Sequence, residues 1–144
     1  MLKPRILLIE DQAHRITTFT EWLAGTEFQL IVCRSGGQAK GVLTKGGIEE
    51  IAGILLDHDL TDSTITEQDR SLSSTDILPL IATHVRKLTP VLIHSHNPGK
   101  APKMHRFLDA AGMDVTRMRF DSLTRGIFDE WIQDVRGNWD FEAV

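Results

Sequence analysis

The sequence predicts an α/β fold, a doubly wound, five-stranded parallel sheet with helices on both faces. Three observations predict it. Five short apolar runs alternate with amphipathic segments along the chain, the order that right-handed crossovers between parallel strands produce. The runs are nearly continuous in apolar residues rather than alternating, as strands covered on both faces are. The chain is 144 residues long, enough for one sizeable core, and no linker or internal repeat divides it, so residues 1–144 are expected to form a single domain.

The strands are expected at Arg5–Ile9, Phe28–Cys33, Gly53–Leu56, Pro90–Ile93 and Val115–Phe120. After the first, Ile16, Phe19, Trp22 and Leu23 make an apolar stripe at helical spacing. Gly36–Thr44 reads as a weaker helix stopped by Gly46 and Gly47. Ile77, Ile81, Val85 and Leu88 mark the third helix. Met104, Phe107, Leu108 and Ala111 mark the fourth, with Pro102 in its first turn. Leu123, Ile127, Trp131 and Val135 mark the last. Cys33 and the three aromatics Trp22, Phe107 and Trp131 fit this core pattern and need no functional role. One segment departs from it: residues 61–74, TDSTITEQDRSLSS, are polar and longer than the usual connection. They read as a surface insertion or as a flap over the strand tips, since they follow Asp59 and Leu60 directly. The terminal NWDFEAV reads as a tail packed on the domain or on a partner.

Composition narrows the function classes. The net charge of −4 provides no extended nucleic-acid surface and no attraction to an anionic membrane. A small phosphorylated ligand or an RNA end remains a suitable partner, because a local pocket needs no basic protein. Cys33 is the single cysteine, so no internal disulfide forms, in keeping with a reducing compartment. MLKPRILLIED reaches its acidic pair too soon for a signal peptide, and no apolar run spans a bilayer. A cytoplasmic location is expected, and an oligomer is compatible with the sequence.

In doubly wound sheets ligands bind just beyond the carboxyl ends of the strands. Glu10 and Asp11 follow the first strand; Asp57, His58 and Asp59 follow the third. His94, Ser95, His96 and Asn97, then Pro98, Gly99 and Lys100, follow the fourth, and Asp121 follows the fifth. Four carboxylates, Glu10, Asp11, Asp57 and Asp59, would repel one another unless some hold a proton or a cation sits among them. Such an oxygen-rich set suits a divalent cation, Mg²⁺ or Mn²⁺ first, with Zn²⁺ an option if imidazoles join. His94 and His96 share strand spacing and would face one side. Paired imidazoles serve as general acid and base near neutral pH. His14, His84 and His105 lie outside this set. Lys100, Lys103 and Arg106, near the start of the fourth helix, are the cations available to a phosphate.

On these residues the chain resembles a response-regulator receiver domain over nearly its whole length. RILLIEDQ resembles the first strand with its acidic pair, GILLDHDL the third strand with the phospho-accepting aspartate at Asp57, and PVLIHS the fourth strand with a hydroxyl at Ser95 or a position taken by His94. The resemblance implies strand order 2-1-3-4-5 and a CheY-like, flavodoxin-like fold. The chain departs from it after the fifth strand, where MRFDS carries Asp121 and no lysine. LDHDL and HSHNP are instead similar to a narrower group, the predicted cyclic-phosphate-processing receiver domains, through Asp57, His58, Asp59, His94, Ser95, Asn97 and Pro98.

The expected function is a metal-assisted phosphoesterase acting on a cyclic phosphate of a nucleotide or RNA end. His58, His94, His96 and Asp57 are its catalytic candidates, and Ser95, Asn97 and Lys100 its phosphate holders. Glu10, Asp11, Asp57 and Asp59 are its metal ligands. The alternative is a signalling or binding module, either a degenerate receiver or one that accepts phosphate at Asp57. A haloacid-dehalogenase-type reading of Asp57-x-Asp59-x-Thr61 lacks the later lysine and acidic pair it needs.

Overall fold

A computed structural model describes residues 3–45, 48–57 and 74–139 of the chain. Its strands are β1 (Arg5–Ile9), β2 (Gln29–Cys33), β3 (Ile51–Leu56), β4 (Pro90–Ile93) and β5 (Asp114–Arg117). Its α-helices are α1 (Ala13–Leu23), α2 (Gly36–Thr44), α3 (Ser74–His84), α4 (Lys100–Ala110) and α5 (Arg125–Asn138). The strands form one parallel sheet in the order β2-β1-β3-β4-β5.

Period-two alternation along β1, β3 and β4 sends side chains into two separate cores. Leu7, Ile9, Ile54, Leu56, Val91 and Ile93 pack against α2, α3 and α4. Ile6, Leu8, Leu55 and Leu92 pack against α1 and α5 through Phe19, Phe128, Trp131 and Val135. The central strands are therefore buried on both faces, which is why they read as unbroken apolar runs. The register brings Gly53 beneath α5. A Cβ there would lie 3.0 Å from Trp131 Cη2, 3.1 Å from Ile6 Cδ1 and 3.1 Å from Val135 Cγ2. Side-chain hydroxyls start two helices: Ser35 Oγ accepts from the Gln38 N–H at 3.1 Å and Thr124 Oγ1 from the Ile127 N–H at 3.2 Å. Cys33 ends β2 with a buried thiol, and that burial pushes its pKa up to about 11.

Several expectations are corrected. β5 runs over Asp114–Arg117 rather than to Phe120, and a 3-10 turn occupies Phe120–Ser122. This edge strand is mostly exposed, unlike β3 and β4, so its few apolar residues gave a poor measure of its length. Leu88 lies beyond α3 and is exposed, as is Phe107 on α4. Trp139 of the C-terminal segment packs on the domain itself, buried beneath the Arg86 guanidinium 4.4 Å from its ring centre. His58, Asp59 and all of 61–74 except Ser74, which opens α3, lie outside the described residues. No helix among the described residues is long and apolar enough to cross a membrane.

Candidate functional site at the strand tips

The hydrogen-bond ladder continues one residue past each central strand. The backbone N–H of Glu10 donates to Cys33 O, that of Asp57 to Ile9 O and that of His94 to Leu56 O, each at 3.0 Å. Glu10, Asp57 and His94 therefore form a row across three neighbouring strand tips. By strand alternation they share the side of the sheet that carries α1 and α5. All three are buried, and one potential ligand atom from each lies within 4.8 Å of the others.

A cation from α1 enters this row. Arg15 Nη1 lies 3.3 Å from Glu10 Oε1 and 3.8 Å from Asp57 Oδ2. His94 Nε2 is 2.9 Å from the same Glu10 oxygen. The other oxygen, Oε2, accepts from the backbone N–H groups of Asp11 at 2.9 Å and Gln12 at 3.2 Å. Burial alone would raise the Glu10 pKa, but the His94 hydrogen bond and charge, the Gln12 N–H and the Arg15 charge bring it down to about 2. Complete burial holds the His94 imidazole below its ordinary pKa, against the pull of the Glu10 partner. The consistent state is an ionised Glu10 accepting Nε2–H from a neutral His94. The Phe120 ring roofs this cluster, with its centre 6.4 Å from that of His94 and 5.2 Å from the Arg15 guanidinium carbon.

The carboxylate repulsion expected from the sequence is thus met in part by Arg15. Glu10 has both oxygens engaged and anchors the cluster. Asp11 and Asp57, both buried at the strand tips, supply hard oxygen donors of the type a divalent cation takes.

The next residues open outwards. Ser95 is buried, and its Oγ accepts from the Asn97 N–H at 3.1 Å. Asn97 Oδ1 accepts from the Gly99 and Lys100 N–H groups at 3.0 and 2.9 Å, so this side-chain oxygen caps the start of α4. Lys100 is exposed on that first turn. His96 is half-buried, and its Nε2 accepts from the Asp121 N–H at 3.3 Å, 3.6 Å from Asp121 Oδ1. Ser95, His96 and Asn97, together with Pro98, Pro102, Arg117 and Arg119, line a cavity of about 420 Å³. His94, with no exposed surface, is not among the residues that line it.

Sequence reasoning missed Arg15, Arg117 and Arg119. Arg15 is five residues beyond Glu10, close enough for the first turns of α1 to carry it back over the acidic pair. Arg117 and Arg119 have strand spacing in TRMRF, directly at the end of β5.

An open parallel sheet in this order, with an acidic pair after β1 and an aspartate after β3, defines a receiver-type domain. The model of the cyclic-phosphate processing receiver domain matches residues 5–110, and the chain belongs to that family. Solved structures agree on the fold. A CheY-like response regulator receiver domain from Methylobacillus flagellatus is 20% identical, with a TM-score of 0.63 over 94% of this chain and 99% of its own. Another, from Methanospirillum hungatei, is 14% identical, with a TM-score of 0.68 over 96% and 97%. The receiver domain of a sensor histidine kinase from Pseudomonas aeruginosa, with a magnesium ion coordinated in its active-site cleft, is 18% identical, with a TM-score of 0.63 over 93% and 98%. No curated protein matches the chain.

Proposed function

We propose that this receiver domain binds a cyclic phosphodiester beyond β4 and β5 and hydrolyses it. The observation that carries the reading is the cavity of about 420 Å³ that collects an imidazole, His96, and two guanidinium groups, Arg117 and Arg119, at its wall. Phosphoryl oxygens would accept hydrogen bonds from the two arginines, which match phosphate geometry with paired N–H donors. His96 accepts a backbone N–H at Nε2, so its neutral form carries the proton on Nδ1. That proton can pass to the ester oxygen that leaves. Water adds to phosphorus, one ring P–O bond breaks, and a base takes the water proton. His58, outside the described residues, is the candidate base. Asp57 and His94 are positioning residues in this scheme, because both are buried, neither lines the cavity, and they are tied to Arg15 and Glu10. Asp11 and Asp57, with Asp59 outside the described residues, would hold a divalent cation. When bound, such an ion offsets carboxylate charge and polarises a phosphoryl oxygen.

The test is incubation with nucleoside 2′,3′-cyclic phosphates and Mg²⁺, Mn²⁺ or Zn²⁺, followed by ³¹P NMR. Ring-opened monophosphate is expected, with kcat/KM falling about 10²–10⁴-fold in His96→Ala, the scale of one acid–base group. Intact substrate with every metal, from a protein whose circular dichroism is folded, would sink the proposal.

A second reading is favoured by Arg15. Its guanidinium sits 3.8 Å from Asp57 Oδ2 and supplies a cation beside it, in a chain whose MRFDS segment lacks the receiver lysine. On this reading Asp57 accepts phosphate. Acetyl phosphate should then add one phosphoryl group, and Asp57→Asn should abolish the mass shift.

A further inference from the structure

The cavity that holds Arg117 and Pro102 on one side has a neighbour on the other. A second space of about 300 Å³ is lined by Pro102, His105, Arg106 and Arg117. The two spaces share Pro102 and Arg117, so they adjoin along the α4–β5 edge. The sequence reading set His105 aside and treated Arg106 only as one of three cations near the helix start. Together the four residues line one continuous space.

Three features give that space a ligand preference. Arg106, Arg117 and Arg119 are all exposed, and none of their side chains makes an ion pair or hydrogen bond with another described residue. In a chain of net charge −4, three guanidinium groups without a partner among the described residues surround two adjoining cavities and form a local positive region. His105 adds a buried Nδ1 with no hydrogen-bond partner among the described residues. A buried polar atom without a partner is uncommon and calls for water or a ligand group. The two volumes, about 420 and 300 Å³, lie within the range of small-molecule pockets. A bare phosphate would leave most of that space empty.

We infer that the second space is an anion subsite for a phosphoryl group other than the one that reacts, so that the ligand carries two. This rests on the hydrolytic reading for which phosphoryl group reacts, but not for its binding chemistry. Arg106 and His105 belong to the second subsite alone, Arg119 and His96 to the first, and Arg117 lies between them. The second phosphoryl group could be a terminal monoester on a nucleotide or the internucleotide diester of an oligonucleotide end. Both present non-bridging oxygens to a guanidinium fork.

Calorimetric titration of the full chain at low salt separates these. The probes are 3′-AMP, adenosine 3′,5′-bisphosphate and the dinucleotide ApAp. The bisphosphate is expected to bind about tenfold more tightly than 3′-AMP, the scale of one charge-assisted hydrogen bond. Arg106→Ala should erase that advantage and leave 3′-AMP binding unchanged, and His105→Ala should reduce it. The advantage should also shrink as salt screens the exposed arginine. An equal gain with ApAp assigns the group to an oligonucleotide, and a gain with the bisphosphate alone assigns it to a small nucleotide. Equal affinities for 3′-AMP and both larger probes, or an advantage that survives in Arg106→Ala, overturns the subsite. Loss of cyclic-phosphate turnover together with an Arg106-dependent advantage rejects hydrolysis and keeps the subsite. Turnover without any such advantage does the reverse.

Discussion

Glu10 makes four contacts from a position with no exposed surface: two backbone N–H groups, the Arg15 guanidinium and the His94 imidazole. Its ionisation and the neutrality of His94 give stability a defined pH dependence. His94 has a folded pKa below its free value of 6.5, so the unfolded chain takes up a proton there first, and stability falls as pH drops below about 6.5. Glu10, lowered from 4.5 to about 2, adds a second loss as pH falls through that interval. Melting temperature followed by circular dichroism should therefore decline steadily on the acid side of neutrality, and more steeply below pH 4.5. Glu10→Gln should remove the steeper part and destabilise the protein at pH 7 by about 3–5 kcal/mol, because it leaves the buried Arg15 without its main partner. An unchanged acid limb in that variant would contradict the assignment. Sequence reading identified Glu10 by type and position but not by task. Its acidic neighbours suggested a metal ligand, and the approach of Arg15 and His94 in space adds the role of an anchored carboxylate.

At the scale of elements, parallel strands bury both faces, and that is why β1, β3 and β4 were plain in the sequence while the edges were not. β5, DVTR, has one aliphatic residue and borders solvent, so hydrophobicity could not set its end. The misplaced boundary mattered for the site. Once β5 stops at Arg117, Phe120 is free to fold over the Glu10–His94 pair, and Arg117 and Arg119 fall at the rim of the cavity. The contact between β3 and α5 is tight at Gly53, and the missing side chain there sets how closely the helix approaches. Gly53→Ala should cost about 1–3 kcal/mol in urea denaturation with an unchanged m-value, as overpacking does. A neutral result would mean that α5 can move away freely, which the close packing of Trp131 and Val135 argues against.

Taken as a whole molecule, the fold separates anchoring from exposure. The acid–imidazole row is closed in on the α1–α5 side, whereas the cationic rim opens towards solvent along α4 and β5. Alternation of strands and helices was enough to predict the layered architecture, since it depends only on local patterns and the handedness of crossovers. Which tip residues meet depends on register and on loop paths, which no local pattern encodes, and so the arginines escaped notice. The position of Cys33 has a practical use. As the single cysteine of the chain, sealed at the end of β2 with its thiol held protonated, it is a built-in reporter of how the sheet margin breathes. A maleimide dye should react with the native protein at least about a thousandfold more slowly than with the urea-unfolded chain. If labelling accelerates at urea concentrations well below the global transition, β2 peels away as a separate unit; if the two rise together, the sheet opens in one event.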